Sequence, residues 1–270
     1  MMRRRDLLAL GAAMAAGRAF ALDAGTATGR YGGEDGFGFS HALALAVDNA
    51  EGFEDSENSL RVLLSDRPVP PSALCGLAFP PVWSMATKGE LKGLLLRFDP
   101  ADRESLVVTV LTAPEPGYSL MNTTFSSSEG LWSRLEVSAT RVVGELSPAV
   151  SDDMAFGFSA PVFTNPVEAD LKGAAAAASE PVKVLRARAE ALGRRDLDAV
   201  AALSTPSAAE GLRQAPPEMM KQAPRFAAEM IRRLKSPRRV VIRRETAAVM
   251  LGPGEWASVS RIDGAWKAAN

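Results

Sequence analysis

Apolar residues follow two rhythms along this chain, and the change falls near Leu171-Lys172-Gly173 and the five alanines behind them. Before that point, short apolar runs at 60–64, 94–98, 106–111, 131–137, 141–146 and 154–163 alternate with clusters rich in Pro, Gly, Asp and Ser. This spacing predicts many short strands, and with them an antiparallel β-sandwich or barrel-like domain over 22–173. One helical insertion is expected around 71–87, where Leu74, Leu77, Trp83 and Met85 cover an open end of the sheet. After the change the period is helical. Val182, Leu185, Ala189 and Leu192 fall three and four apart, with Ser179 as cap and Gly193 as stop. A second helix starts at Asp196, and more helix lies between Pro217 and Leu234. Strands at 240–244, 247–251 and 255–262 close the chain, with Gly252-Pro253-Gly254 and Asp263-Gly264 as turns. Helices followed by a strand meander predict a separate α+β domain over 174–270, its helices packed on a curved antiparallel sheet. Residues 171–180 are expected to be an exposed joint between the two.

Two stretches of the second half carry a resemblance. ALGRRDLDAVAALST (191–205) resembles the helical opening of nuclear-transport-factor-2-like domains, and RIDGAWKAAN (261–270) resembles their closing strand. The resemblance implies a cone with a pocket between helices and sheet, to which Trp256, Trp266 and Leu185 are assigned. LRVLLSDRPVP (60–70) resembles β-rich domains of exported bacterial proteins, a likeness that brings no activity with it.

The N-terminus changes the picture. Met1-Met2-Arg3-Arg4-Arg5 precedes an apolar run at 7–17, and Ala19-Phe20-Ala21 supplies a small-x-small cleavage pattern. The run is too short to span a bilayer. Arg4-Arg5-Asp6-Leu7-Leu8 resembles the twin-arginine export signal of bacteria. The expectation is a signal peptide over 1–21 and a periplasmic or secreted chain starting near Leu22. Removing it takes away four arginines and one aspartate and leaves 27 basic against 31 acidic residues, a net charge of -4. That balance argues against a nucleic-acid partner. No later stretch is long and apolar enough for a transmembrane helix.

Chemistry is sparse. One histidine and one cysteine leave little for a transition-metal site and exclude an intrachain disulfide. Cys75 reads as a small buried hydrophobe, with a reactive thiol as the alternative. His41 lies in GFGFSHALALAVDN (36–49), one position away from G-x-S-x-G. As a continuous strand, this stretch puts Phe37, Phe39, His41, Leu43, Leu45 and Val47 on one face and Ser40 on the other. The serine–imidazole bond of nucleophilic catalysis is then impossible, and His41 is a buried core histidine; a catalytic His41 at a pocket mouth is the alternative. Phe-Gly-Phe-Ser recurs at 156–159, which suggests two strands feeding phenylalanines into one core. Asp48, Glu51, Glu54 and Asp55 offer oxygen ligands for calcium, but the EF-hand spacing fails and a solvated acidic loop is preferred. Gly29 to Gly38 form no phosphate cradle, so no cofactor is expected. Seven basic residues between Arg232 and Arg244 read either as an anionic-surface patch or as a solvated helix end and strand rims. Residues 174–270 contain no tyrosine or histidine, so the electrophilic partners of the resembled enzymes are missing. The expected function is therefore non-catalytic binding or scaffolding of an apolar ligand or an envelope protein; a hydrolase or lyase using a carboxylate or His41 is the alternative.

Overall fold

The computed structural model describes residues 23–32, 36–47, 60–75, 81–113, 122–124, 132–146 and 154–269. The stretch 1–21, expected to be an export signal, and the acidic stretch carrying Asp48, Glu51, Glu54 and Asp55 lie outside them. The described chain is a mixed α+β protein with two sheets and six α-helices. The first sheet holds β1 (Thr26–Tyr31), β2 (Phe37–Gly38), β3 (His41–Ala46), β4 (Leu60–Ser65), β5 (Gly93–Asp99), β6 (Asp102–Leu111), β7 (Asn122–Thr124), β8 (Trp132–Val137), β9 (Arg141–Leu146) and β10 (Met154–Thr164). Its order is β7-β6-β5-β4-β3-β1-β10-β9-β8, with β2 paired to β1. All neighbours are antiparallel except β3 and β10, which also run parallel from Ala44↔Val162 to Ala46↔Thr164.

This sheet curls. Through the β3–β10 contact, β8 is five strands from β5, about 24 Å if the sheet were flat. Yet Phe98 of β5 meets Trp132 of β8 with ring centroids 5.4 Å apart. The inner face is lined by Leu60, Val62, Leu64, Leu94, Leu96 and Phe98 from one wing and Val142, Phe156 and Phe158 from the other. On the outer face, Leu45, Leu63, Leu95 and Leu111 are covered by the 3-10 turn Pro71–Leu74 and by α1 (Pro81–Thr87), through Leu74, Val82 and Ala86. β4 lies between the two cores, and all six of its residues are buried. That is the physical reason its apolar residues fall on both faces where a half-exposed strand would alternate, and even Arg61 and Ser65 are buried.

The second sheet is a meander of β11 (Val167–Leu171), β12 (Arg239–Arg243), β13 (Thr246–Gly252), β14 (Glu255–Ile262) and β15 (Ala265–Ala268), in that order and antiparallel throughout. Asp263 and Gly264 both take positive φ, 50° and 78°, as a two-residue hairpin of primed type requires. The helices are α2 (Gly173–Ala177), α3 (Glu180–Gly193), α4 (Leu197–Ala202), α5 (Pro206–Arg213) and α6 (Pro217–Leu234). Asp196 caps α4 by accepting the Ala199 N–H at 3.0 Å. Ser179 starts α3 without a side-chain cap; its hydroxyl donates to the Ala176 carbonyl at 2.7 Å instead. Gly193 ends α3 as expected, but the left-handed residue is Arg195, φ 59°. Gly193 lies against α6, where a Cβ would stand at an ordinary contact distance, 3.5 Å, from the Ala227 Cβ.

The expected joint is displaced. The chain leaves the first sheet at Thr164 and enters the second at Val167, ahead of the compositional change. Asn165 fastens this crossing. Its amide donates to Thr246 Oγ1 at 3.0 Å, its side-chain oxygen accepts the Glu245 N–H at 2.9 Å, and its carbonyl accepts from Arg243 at 3.0 Å. The alanine run is exposed at Ala174, Ala175 and Ala178, but it is no slack connection, for it forms α2, and Ala176 is fully buried in the second core. Alanine needs no large side chain to be buried when a helix can lie close against a sheet.

Candidate functional site

The stretch around His41 folds differently from a continuous strand. Phe39 and Ser40 interrupt the strand between β2 and β3, and the alternation slips by one residue there. Phe37 and Phe39 face the inner core together with Ala42 and Ala44, while Leu43 and Leu45 face the outer one. Phe39 reaches Phe156 at 6.4 Å, so the two Phe-Gly-Phe-Ser copies do share a core. The slip leaves Ser40 exposed and His41 half-buried, on the same side of the chain. Ser40 Oγ and His41 Nδ1 hydrogen-bond at 2.8 Å, contrary to the bond excluded from strand geometry.

This contact is less than a catalytic pair. The Ser40 hydroxyl has a second acceptor, the Asp66 carbonyl at 3.3 Å. A hydroxyl has one proton, so donation to Asp66 requires the imidazole to donate through Nδ1, and a protonated Nδ1 cannot act as base. Activation of a serine also needs a group that orients the base. Among the described residues no carboxylate bonds the other ring nitrogen of His41. The adjacent Asp66 carboxylate is taken up by the Lys92 N–H at 3.1 Å and by Arg67 at 3.2 Å.

A second concentration of polar groups lies at the joint. Cys75 is 1% exposed, and its thiol hydrogen-bonds the Pro71 carbonyl at 3.7 Å. Burial pushes the thiol up to about 12, and the Glu245 carboxylate adds to the effect against the opposing charges of Arg61 and Arg243. Both arginines are buried, at 4% and 7% exposure; Arg61 donates to the Leu74 carbonyl at 3.3 Å. The thiolate is the nucleophile in cysteine chemistry, so this thiol is chemically quiet.

The residues assigned to a pocket are divided by the second sheet. Leu185 and Trp266 belong to one packed core with Val182, Leu234, Val240, Val249 and Val259 on its helix-covered face. Arg261 caps that tryptophan, its guanidinium 4.5 Å from the ring centroid. Trp256 pairs with Met250, whose neighbour Val249 faces that core; strand alternation therefore turns Trp256 to the opposite face. The basic run is divided too. Arg232 and Arg233 pair with Glu229, Arg233 also with Glu255, Arg239 takes Asp170 in a two-pronged contact, and Arg243 points inward to Asn165. One acid a helical turn away and two distant in sequence oppose charges that look unopposed in the linear chain. Glu229 is held low, to about 2, by hydrogen bonds from Arg232 and Arg233. Among the described residues no group of three or more His, Cys, Asp or Glu is placed to hold a metal ion, and no helix is long and apolar enough to cross a membrane.

Sequence reasoning missed the Ser40–His41 contact, the fastening role of Asn165 and two exposed side chains of α6, Met219 and Phe226. Only the last left a signal, as apolar residues seven apart on a helix. Set against known proteins, the chain matches no family model, no curated protein and no solved structure.

Proposed function

We propose that this chain is an exported, non-catalytic binding or scaffolding protein of the bacterial envelope. The observation that carries the reading is that the conventional reactive groups are disarmed. His41 lacks an orienting acid among the described residues, and the Cys75 thiol is held protonated. The helix-covered face of the second sheet is packed with the protein's own aliphatic side chains and Trp266. This packing favours a protein partner over an apolar small molecule, and the net charge disfavours nucleic acid. In this reading the curled sheet is a barrel-like sandwich closed on itself, and the helices over the five-stranded meander form a cone of the nuclear-transport-factor-2-like kind. Cleavage near Leu22 then delivers the chain to the periplasm or medium, where N-terminal sequencing checks it.

One observation favours a second reading, a hydrolase, and it is the 2.8 Å contact of Ser40 with His41. A screen of ester and glycoside substrates separates the two. The proposed function expects no turnover; turnover abolished by both Ser40→Ala and His41→Ala, with the fold intact, overturns it.

A further inference from the structure

The N-terminal half of α6 has an exposed face that the rest of the described fold does not use. α3 lies antiparallel to the C-terminal half of α6, since Arg186 donates to the Leu234 carbonyl at 3.0 Å and Gly193, at the end of α3, abuts Ala227. The residues of α6 before Ala227 therefore project past the end of α3. On this projection Met219 is 51% and Phe226 55% exposed, the highest values among the described large apolar side chains. Seven residues are nearly two turns, so the pair forms one stripe with its members about 10 Å apart. The adjacent stripe repeats the spacing with opposite charges, Glu218 and Arg225. Arg225 is exposed and has no side-chain partner among the described residues.

We propose that this face is a self-recognition surface, on which two copies of the chain pair their α6 helices antiparallel about a two-fold axis near Gln222. Antiparallel pairing about that point places Met219 against Phe226 of the second copy, and Phe226 against its Met219. A two-fold of this kind keeps each flanking stripe on its own side, so Glu218 meets Arg225 of the other copy, twice per dimer. Sulfur against an aromatic ring and carboxylate against guanidinium are both favourable contacts. The exposed Gln222 sits near the axis, where the helices come closest. Within one chain Glu218 binds Lys221 at 2.6 Å, but both side chains are more than two-thirds exposed, so exchanging that contact costs little. The mixed signs also select the partner. An anionic lipid surface would attract Lys221 and Arg225 but repel Glu218 beside the apolar stripe, whereas a second copy pairs both. This inference stands apart from the functional reading, because such a dimer forms whether or not the chain is catalytic.

Sedimentation equilibrium on the protein as recovered from the expressing cell tests it. The expected mass rises with concentration from one chain to two. Phe226→Glu should hold it at one chain with an unchanged thermal melt. Glu218→Arg and Arg225→Glu should each weaken dimerisation roughly tenfold or more, because two pairs are lost together. The double variant, which swaps both charges, should restore it. A monomer at the highest soluble concentration overturns the proposal. So does a dimer that survives Phe226→Glu, or a charge swap without rescue. Binding to phosphatidylglycerol vesicles by a chain that stays monomeric overturns it in favour of a membrane surface.

Discussion

Gly144→Ala probes the curl of the first sheet at its tightest point. Gly144 sits in β9 opposite Phe158 of β10 and Leu135 of β8, facing the inner core. A Cβ built there stands 2.6 Å from Phe158 Cε1 and Cζ, and 2.9 Å from Trp132 Cζ3. Ordinary carbon contacts are about 3.5–4.0 Å, so the rings must retreat by roughly 1 Å. They have little room. Phe158 is fully buried with Phe156 at 6.2 Å, and Trp132 is held between Phe158 at 6.2 Å and Phe98 at 5.4 Å. Pushing the tryptophan outward opens the contact that closes the curl. Overpacking of this kind costs about 1–3 kcal/mol. The smaller unfolded-state entropy of alanine returns roughly 0.4–1 kcal/mol. The net loss centres on about 1–1.5 kcal/mol, which for a chain of this size lowers Tm by roughly 2–6 °C. Gly211 in α5 is the control, since it is exposed and a Cβ there meets nothing within 4 Å. Gly211→Ala should stabilise by about 0.5–1 kcal/mol. Paired thermal melts followed by near-ultraviolet circular dichroism and tryptophan fluorescence decide it. If Gly144→Ala melts at or above wild type, the inner core is looser than these distances imply and the argument fails.

Three further outcomes rest on contacts described above. Glu229 is depressed from 4.5 to about 2 in the folded chain; its contribution is complete above the unfolded value and lost as pH falls through that window. The stability gap between wild type and Glu229→Gln should therefore shrink from pH 4.5 toward 2 in acid melts, and a gap that widens there refutes the pairing with Arg232 and Arg233. Cys75, with a thiol near 12, should resist iodoacetamide at pH 8 in the folded protein and react once it is unfolded in urea; labelling of the folded chain at the rate of a free thiol contradicts its burial. Trp266→Ala should cost about 3 kcal/mol by chemical denaturation, more than Trp256→Ala, since only Trp266 belongs to the core under α3; the reverse order would contradict the assignment of faces.

Legibility in the sequence followed the size of the signal each residue sends. β4, β5 and β9 were readable because Leu60 to Leu64, Leu94 to Phe98 and Val142 to Leu146 are apolar where they meet a core. β1 was invisible: Thr26 to Tyr31 is polar and small, and it holds its place by pairing with β10 along its whole length. β11 left no apolar run to read, for a related reason. As an edge strand it carries Glu168 and Asp170, and Asp170 finds its partner in Arg239, far along the chain. The Ser40–His41 contact was hidden because strand arithmetic assumes unbroken alternation, and one irregular step at Phe39-Ser40 reverses every conclusion drawn beyond it. The basic run misled similarly: Glu229 stands one helical turn before Arg232 and Arg233, but nothing local shows Glu255 and Asp170, which the fold brings to Arg233 and Arg239.

The place of β11 has a consequence for anyone dividing this chain. A cut at the alanine run would strip the second sheet of its edge and leave β12, with Val240, Val241 and Ile242, as an open row of unpaired amides and carbonyls. Such a row is a template for the next chain. A fragment beginning at Gly173 should precipitate or exchange strands with its neighbours, whereas one beginning near Pro166 retains its own selvedge. The helical half thus depends on five residues that precede the compositional change, and its true hem lies at Asn165-Pro166.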